Sequence, residues 1–229
     1  MASRTVRFYF DFISPYSWLA LRESEAFARD HDVRWDLRPV VYAVLLDRTG
    51  LIGPAETPAK RCYSFYDVAR CAASLGARFT GPPEHPFRSL EALRTVCLFR
   101  TDPRAPALAL RLADACWEEG RPLTEIAVLE EAVAEVGLDA RDLRARISEG
   151  VVKEELQRLT AEALALGAFG VPTFALEDEL FWGHDRMPHL AGRLSGRIPS
   201  VAANAEAILA RPRGADRRGS PARLDRGSH

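Results

Sequence analysis

The stretch from Phe8 to Ala20 constrains this chain more than any other. Val6, Phe8, Phe10 and Phe12 alternate with Arg7, Tyr9 and Asp11, the period of a β-strand with one more apolar face. Ser14 is then a natural N-cap and Pro15 a natural first residue of a helix. Trp18, Leu19, Leu21 and Phe27 supply that helix with apolar side chains. A strand running straight into a helix leaves unpaired N–H groups and a positive dipole end at one point. Such a point favours an anion: phosphate, carboxylate or thiolate. For an isolated Ser-Pro pair, a plain helix cap is the more ordinary reading of Ser14, and the other stretches of the chain weigh against it.

Val33 to Val40 is a second alternating segment, so the chain opens as β-α-β with parallel strands and a right-handed crossover. From Tyr42 to Gly167 the pattern is helical: Ala43–Arg48, Ala59–Leu75, Leu90–Phe99, Ala105–Glu119, Leu123–Val136, a short helix capped by Asp139 and running to Ile147, and Lys153–Leu166. Strands return at Pro172–Leu176 and Leu180–Trp182, joined by a turn at Glu177–Glu179. A core helix follows at Arg186–Leu194, then a turn or two at Ala202–Ala210. The order is β-α-β, a helical block, then α-β-β-α. The expectation is an α/β thioredoxin-like fold: residues 4–41 and 168–198 form the thioredoxin-like part, the helix at 151–167 leads back into it, and 42–150 form an all-helical insertion. In such sheets ligands bind beyond the carboxyl ends of the parallel strands, where Ser14 lies.

Composition excludes more than it selects. A net charge of −1 gives no general pull toward nucleic acid or membrane. Residues 211–229 hold six Arg and two Asp and almost nothing apolar, and are expected to form a disordered basic tail. Arg4, Arg7 and Asp11 interrupt any apolar leader, so a cytoplasmic protein without a signal peptide or membrane span is expected. Cys62, Cys71, Cys97 and Cys116 form no C-x-x-C and no metal-like spacing, and read as buried small hydrophobes in a reducing compartment, with no metal bound. Only Lys60 and Lys153 are lysines among 31 basic residues.

Two further stretches carry chemistry. In Gly170–Phe174, Pro172 opens a strand. A cis Val171–Pro172 bond would leave the Val171 N–H and C=O facing outward for an extended peptide ligand; an ordinary trans proline on an edge strand fits as well. In Gly183–Arg186, Asp185 can cap the last helix or receive a ligand ammonium, and His184 can be a proton carrier or simple polar surface.

Taken together, Phe-Asp-Phe-x-Ser-Pro-Tyr-Ser, Phe-Gly-Val-Pro-Thr-Phe and Phe-Trp-Gly-x-Asp-Arg resemble the 2-hydroxychromene-2-carboxylate isomerases. These are relatives of the kappa-class glutathione transferases in the DsbA-like thioredoxin superfamily. Pro58-Ala59-Lys60-Arg61-Cys62-Tyr63, with Asp67 and Arg70, is similar to another helix of that family, and the resemblance spans about residues 5 to 195. It implies glutathione as cofactor, with Ser14 hydrogen-bonding its sulfur as thiolate. It also implies that Val171, before Pro172, pairs with the cysteinyl part, that Asp185 with His184 holds the γ-glutamyl end, and that Lys60 meets the glycyl carboxylate or an acidic substrate. Arg61, Tyr16 and Tyr63 join Lys60 on the substrate side.

The implied reaction interconverts 2-hydroxychromene-2-carboxylate and trans-o-hydroxybenzylidenepyruvate, a step of aromatic degradation, through a thiolate adduct, in a homodimer. Two departures stand out: Leu51-Ile52-Gly53 lies where relatives often carry Asn, and His184 where Asn or Gln is more usual. Ser14 and Ser17 occupy the positions of the two cysteines of disulfide oxidoreductases, and hydroxyls cannot form a disulfide. A kappa-like transferase or peroxidase, and a non-catalytic thioredoxin-fold peptide-binding module, are the alternatives.

Overall fold

The computed structural model describes residues 4–200 and 202–212. Strand β1 (Arg4–Phe10) leads into α1 (Pro15–His31), and β2 (Val33–Pro39) returns beside β1 in parallel, with Phe8 opposite Leu37. Helices α2 (Tyr42–Thr49), α3 (Pro58–Ser74), α4 (Leu90–Phe99), α5 (Ala105–Trp117), α6 (Ile126–Glu135), α7 (Leu143–Arg146) and α8 (Gly150–Ala165) follow. The hairpin of β3 (Thr173–Leu176) and β4 (Glu179–Trp182) then adds to the sheet, and α9 (Met187–Leu194) and α10 (Ala202–Leu209) close the described chain. The strand order is β2-β1-β3-β4, with β3 antiparallel to both of its neighbours. This is the mixed four-stranded α/β sheet of a thioredoxin-like fold, as the strand order in the sequence implies.

Alternation along β1 decides what lies on each side of the sheet. Phe8, Phe10 and Phe12 join Phe174 in the main core, with the Phe8 and Phe174 rings 4.7 Å apart. Tyr9 points the other way, toward Val40, Leu45, Ala163 and Ala175. Full burial of each large ring contributes about 1.5–3 kcal/mol. The helical block shares the main core: Trp117, Leu112 and Leu108 of α5 cluster with Trp18 and Leu21 of α1. The Trp18 indole also donates to Asp114 at 2.7 Å.

Several boundaries differ from the sequence reading. Helix α5 stops at Trp117, two residues before Glu119, and Gly120 takes φ +75 just beyond. Helix α6 begins at Ile126, and Leu123 is buried in the connection before it. Asp142, not Asp139, stands at the N-terminus of α7; the Asp139 carboxylate instead accepts from the N–H and guanidinium of Arg141. Arg186 precedes α9, while Asp185 sits in a separate 3-10 turn at His184–Arg186, so Asp185 is not the cap of that helix. Cys97 and Cys116 are buried as expected, but Cys71 is half-buried and Cys62 exposed, because they lie on the sparsely packed α3. Of the expected basic tail, residues 213–229 lie outside the described residues. No described helix is long and apolar enough to cross a membrane.

Candidate functional site

The turn between β1 and α1 is held by a cap and by hydrogen bonds from several parts of the chain. Ser14 takes an extended conformation, φ −93 and ψ 115, and its Oγ accepts from Ser17 N–H at 3.3 Å, so it is the N-cap, with Pro15 as the first helical residue. Asp11 is fully buried, and its carboxylate accepts from the N–H groups of Ile13 at 3.1 Å and Tyr42 at 2.9 Å. Burial pushes its pKa above the ordinary carboxylate value, against hydrogen bonds from Ser89 and three backbone N–H groups that lower it. The Asp11 carbonyl accepts from Ser14 N–H at 3.1 Å. Two side chains of the helical block reach in from far along the chain: Trp117 donates its indole N–H to the Phe12 carbonyl at 2.9 Å, and His85 Nε2 meets the Ile13 carbonyl at 3.0 Å.

Opposite Ser14 stands Val171. The Val171–Pro172 bond is cis, and Ser14 Oγ–H donates to the Val171 carbonyl at 3.3 Å. That is longer than an ordinary O–H···O bond of about 2.5–3.0 Å, and so weak. Both residues are 8% exposed. Among the described residues, the N–H groups of Val171 and Tyr16 have no hydrogen-bond acceptor. Pro15 has no N–H, so Tyr16 supplies the free donor of the first helical turn.

These groups open into a cavity of about 450 Å³, lined by Ile13, Ser14, Tyr16 and Val171 together with Tyr42, Leu46, Gly53–Glu56, Arg61, Ser64, Phe65, His85, Pro86 and Trp182. The size falls within the roughly 300–1,000 Å³ of small-molecule sites, and the wall is mainly apolar, as in such sites. Arg61 is the cation on the wall; its guanidinium lies 5.0 Å from the centre of the Phe65 ring.

The structure therefore brings together Ser14, Val171, Tyr16 and Arg61. Lys60 and Tyr63, neighbours of Arg61 on α3, are exposed and do not line the cavity. His184 stacks on the Tyr16 ring, 5.4 Å between centroids at 21°, and Tyr16 donates its hydroxyl to Asp67 at 2.9 Å. Burial lowers the His184 pKa, while Asp185 and Asp67 oppose the shift. Burial and the Asp67 carboxylate push the Tyr16 phenol up. Asp185 is largely exposed and pairs with Arg186 at 3.2 Å, outside the cavity wall. Sequence reasoning missed Asp11, His85, Trp117 and Trp182 as parts of the site. Asp11 carried a signal, an acidic residue between Phe10 and Phe12, and Trp182 lay within the Phe-Trp-Gly-x-Asp-Arg stretch without being given a role.

A four-stranded mixed sheet with a polar cap at the first helix, facing a cis-proline turn, defines a thioredoxin-fold protein of the DsbA type. Residues 5–195 match the DSBA-like thioredoxin domain, and the chain belongs to that family. It is 28% identical over 194 residues to a 2-hydroxychromene-2-carboxylate isomerase of Sphingobium xenophagum, covering 84% of this chain and 98% of the relative. It is 26% identical over 206 residues to glutathione S-transferase kappa 1 of Rattus norvegicus, covering 83% and 90%. A solved structure of a 2-hydroxychromene-2-carboxylate isomerase matches at 25% identity with a TM-score of 0.77, covering 90% of this chain and 100% of that one.

Proposed function

We propose that this protein is a glutathione-dependent isomerase that interconverts 2-hydroxychromene-2-carboxylate and trans-o-hydroxybenzylidenepyruvate. One observation carries the reading: a serine hydroxyl at a helix N-terminus, weakly held by the Val171 carbonyl, opens into an apolar cavity with no cysteine on its wall. The residues fit glutathione. Val171 offers a free N–H and a carbonyl whose present donor is easily exchanged, the pair of groups a cysteinyl backbone needs. When bound, glutathione would supply the nucleophilic thiolate for the isomerisation.

The chain's own part is positioning. Ser14 would turn its single hydroxyl hydrogen from Val171 to the sulfur. The N-terminus of α1 adds its dipole, with Tyr16 N–H as the free donor. Together these favour the thiolate by about 1–3 kcal/mol, or about one to two pKa units. Arg61 would hold the substrate carboxylate, and Asp185, with His184 beside it, the γ-glutamyl ammonium. Lys60 and Tyr63 would contribute only from outside the cavity wall. The same reading makes the protein cytoplasmic, homodimeric and part of aromatic degradation.

A kappa-type transferase or peroxidase is the second reading, supported by the kappa relative's alignment over a similar length. Calorimetry with glutathione, followed by parallel assays of isomerisation and of conjugation to a general electrophile, tests both. Turnover of the chromene with glutathione unconsumed supports the isomerase. Net consumption of glutathione supports the transferase. Absence of glutathione binding removes both and leaves the peptide-binding module.

A further inference from the structure

The β1–α1 turn is fixed by a residue that comes from the loop between α3 and α4. The Ile13 carbonyl can only accept a hydrogen bond, so the His85 Nε2 that meets it at 3.0 Å carries the ring's hydrogen. Nδ1 is then a bare lone pair. It is buried, and among the described residues no group bonds to it. The ring is wedged among aromatic neighbours from three directions: Phe65 of α3 at 5.3 Å, Trp117 of α5 at 5.6 Å and Phe87 of its own loop at 6.4 Å. The charged group that faces it is Arg61 of α3, which donates to the His85 carbonyl at 3.4 Å. Burial and Arg61 both lower the His85 pKa, against the bond to Ile13, which raises it. A proton on Nδ1 would be buried without an acceptor.

The Ile13 carbonyl belongs to the peptide that delivers Ser14. Its rotation sets the direction of the Ser14 Cα–Cβ bond and so the aim of the hydroxyl. Asp11 fixes the N–H side of this turn and Trp117 the preceding carbonyl. Among the described residues, only His85 holds the carbonyl next to Ser14. We propose that His85 is a positioning residue for Ser14: its neutral Nε2–H pins the Ile13 carbonyl, and through that peptide holds the residue-14 side chain against the N-terminus of α1. This concerns the geometry of position 14, and only its consequence for turnover rests on the glutathione reading.

Two measurements on the full chain test it without glutathione. Long-range nitrogen–proton NMR of labelled histidine should show His85 as the neutral Nε2–H form, titrating below the ordinary histidine value. A ring protonated on Nδ1, or one titrating as free histidine does, overturns the proposal. The second uses Ser14→Cys as a probe, with its thiol pKa followed by ultraviolet absorbance and the native cysteines subtracted with the unsubstituted chain. Adding His85→Phe, which keeps a ring and loses the donor, should raise that pKa by about half to one unit. Adding His85→Gln instead, which keeps an N–H donor, should leave the thiol pKa close to that of the Ser14→Cys chain with His85 intact. Equal thiol pKa values in all three chains, or a Gln variant shifted as far as the Phe variant, overturns the proposal. If the Phe variant does not fold, the Gln variant and the tautomer decide. A chain that passes both tests yet binds no glutathione sinks the proposed function and leaves His85's role intact.

Discussion

Ser14 Oγ and the Val171 carbonyl face each other at 3.3 Å across 157 residues of chain. The contact joins the start of α1 to the turn before β3, and it occupies the only hydrogen the hydroxyl can give. Ser14→Ala removes both the cap and this donor. The cap bond is long, so the stability loss should be modest, about 0.5–1 kcal/mol in urea unfolding. Activity should fall much further, about ten- to a hundredfold in kcat, with the thiol of bound glutathione titrating about one unit higher. Full activity with an unchanged thiol pKa would remove Ser14 from the chemistry.

Asp11 explains why the turn keeps its shape. Its carboxylate accepts from Ile13 and Tyr42, one residue before Ser14 and one at the start of α2. Asp11→Asn sets an amide N–H₂ against one of these N–H donors and should cost about 1–3 kcal/mol at pH 7. The pH dependence has a definite sign. The folded pKa is raised, so the folded chain binds this proton more tightly than the unfolded chain does. Stability from this group therefore declines as pH rises from the unfolded carboxylate value through the folded one. Asn lacks that decline, so the gap between the two chains should be wider near pH 4 than at pH 7. Urea titrations at both values check it, and a gap that widens upward contradicts it.

The contrast between local and distant contacts marks what the sequence could convey. The strand, cap and helix of residues 4–31 were readable because their determinants are neighbours: alternation in β1, then Ser14 and Pro15. The β3–β4 hairpin was readable for the same reason. Trp117 and His85 were not, because they reach the turn across 105 and 72 residues and nothing local announces a hydrogen bond to a carbonyl. The phase of α3 was hidden too. Only Val68 and Ala72 of its 17 residues are buried, so no apolar stripe tells Arg61, which faces the cavity, from Lys60 and Tyr63, which do not.

His184 should make the fold sensitive to mild acid. Its pKa is lowered by burial, so the folded chain binds this proton less readily than the unfolded one. Stability from the group is fully present above the unfolded histidine value, about 6.5, and is lost as pH falls through the lower folded value. His184→Asn removes the titration. Thermal melts at pH 5, 6 and 7 should fall more steeply for the unsubstituted chain than for this variant, and parallel profiles would contradict the assignment.

Trp182 sets the outer wall of the cavity and gives it an aromatic face. It is 52% exposed, at the end of the edge strand β4, and meets the Phe169 ring at 4.7 Å in an edge-on arrangement. The indole lies close over Gly170: a Cβ placed there would come within 2.5 Å of Trp182 Nε1. Gly170 is therefore small because the indole occupies the space a side chain would need. A planar aromatic ligand entering the cavity should quench Trp182 fluorescence, since Trp18 and Trp117 are buried, the half-buried Trp35 does not line the cavity, and Trp182 stands on its wall. Trp182→Ala should raise KM for aromatic substrates about five- to thirtyfold, the equivalent of about 1–2 kcal/mol of ring contact, and leave kcat nearly unchanged. Gly170→Ala should reproduce part of that effect by pushing the indole off its seat while leaving the tryptophan in place. A Gly170→Ala chain with wild-type KM, or quenching that survives Trp182→Phe undiminished, would place the aromatic substrate on another wall.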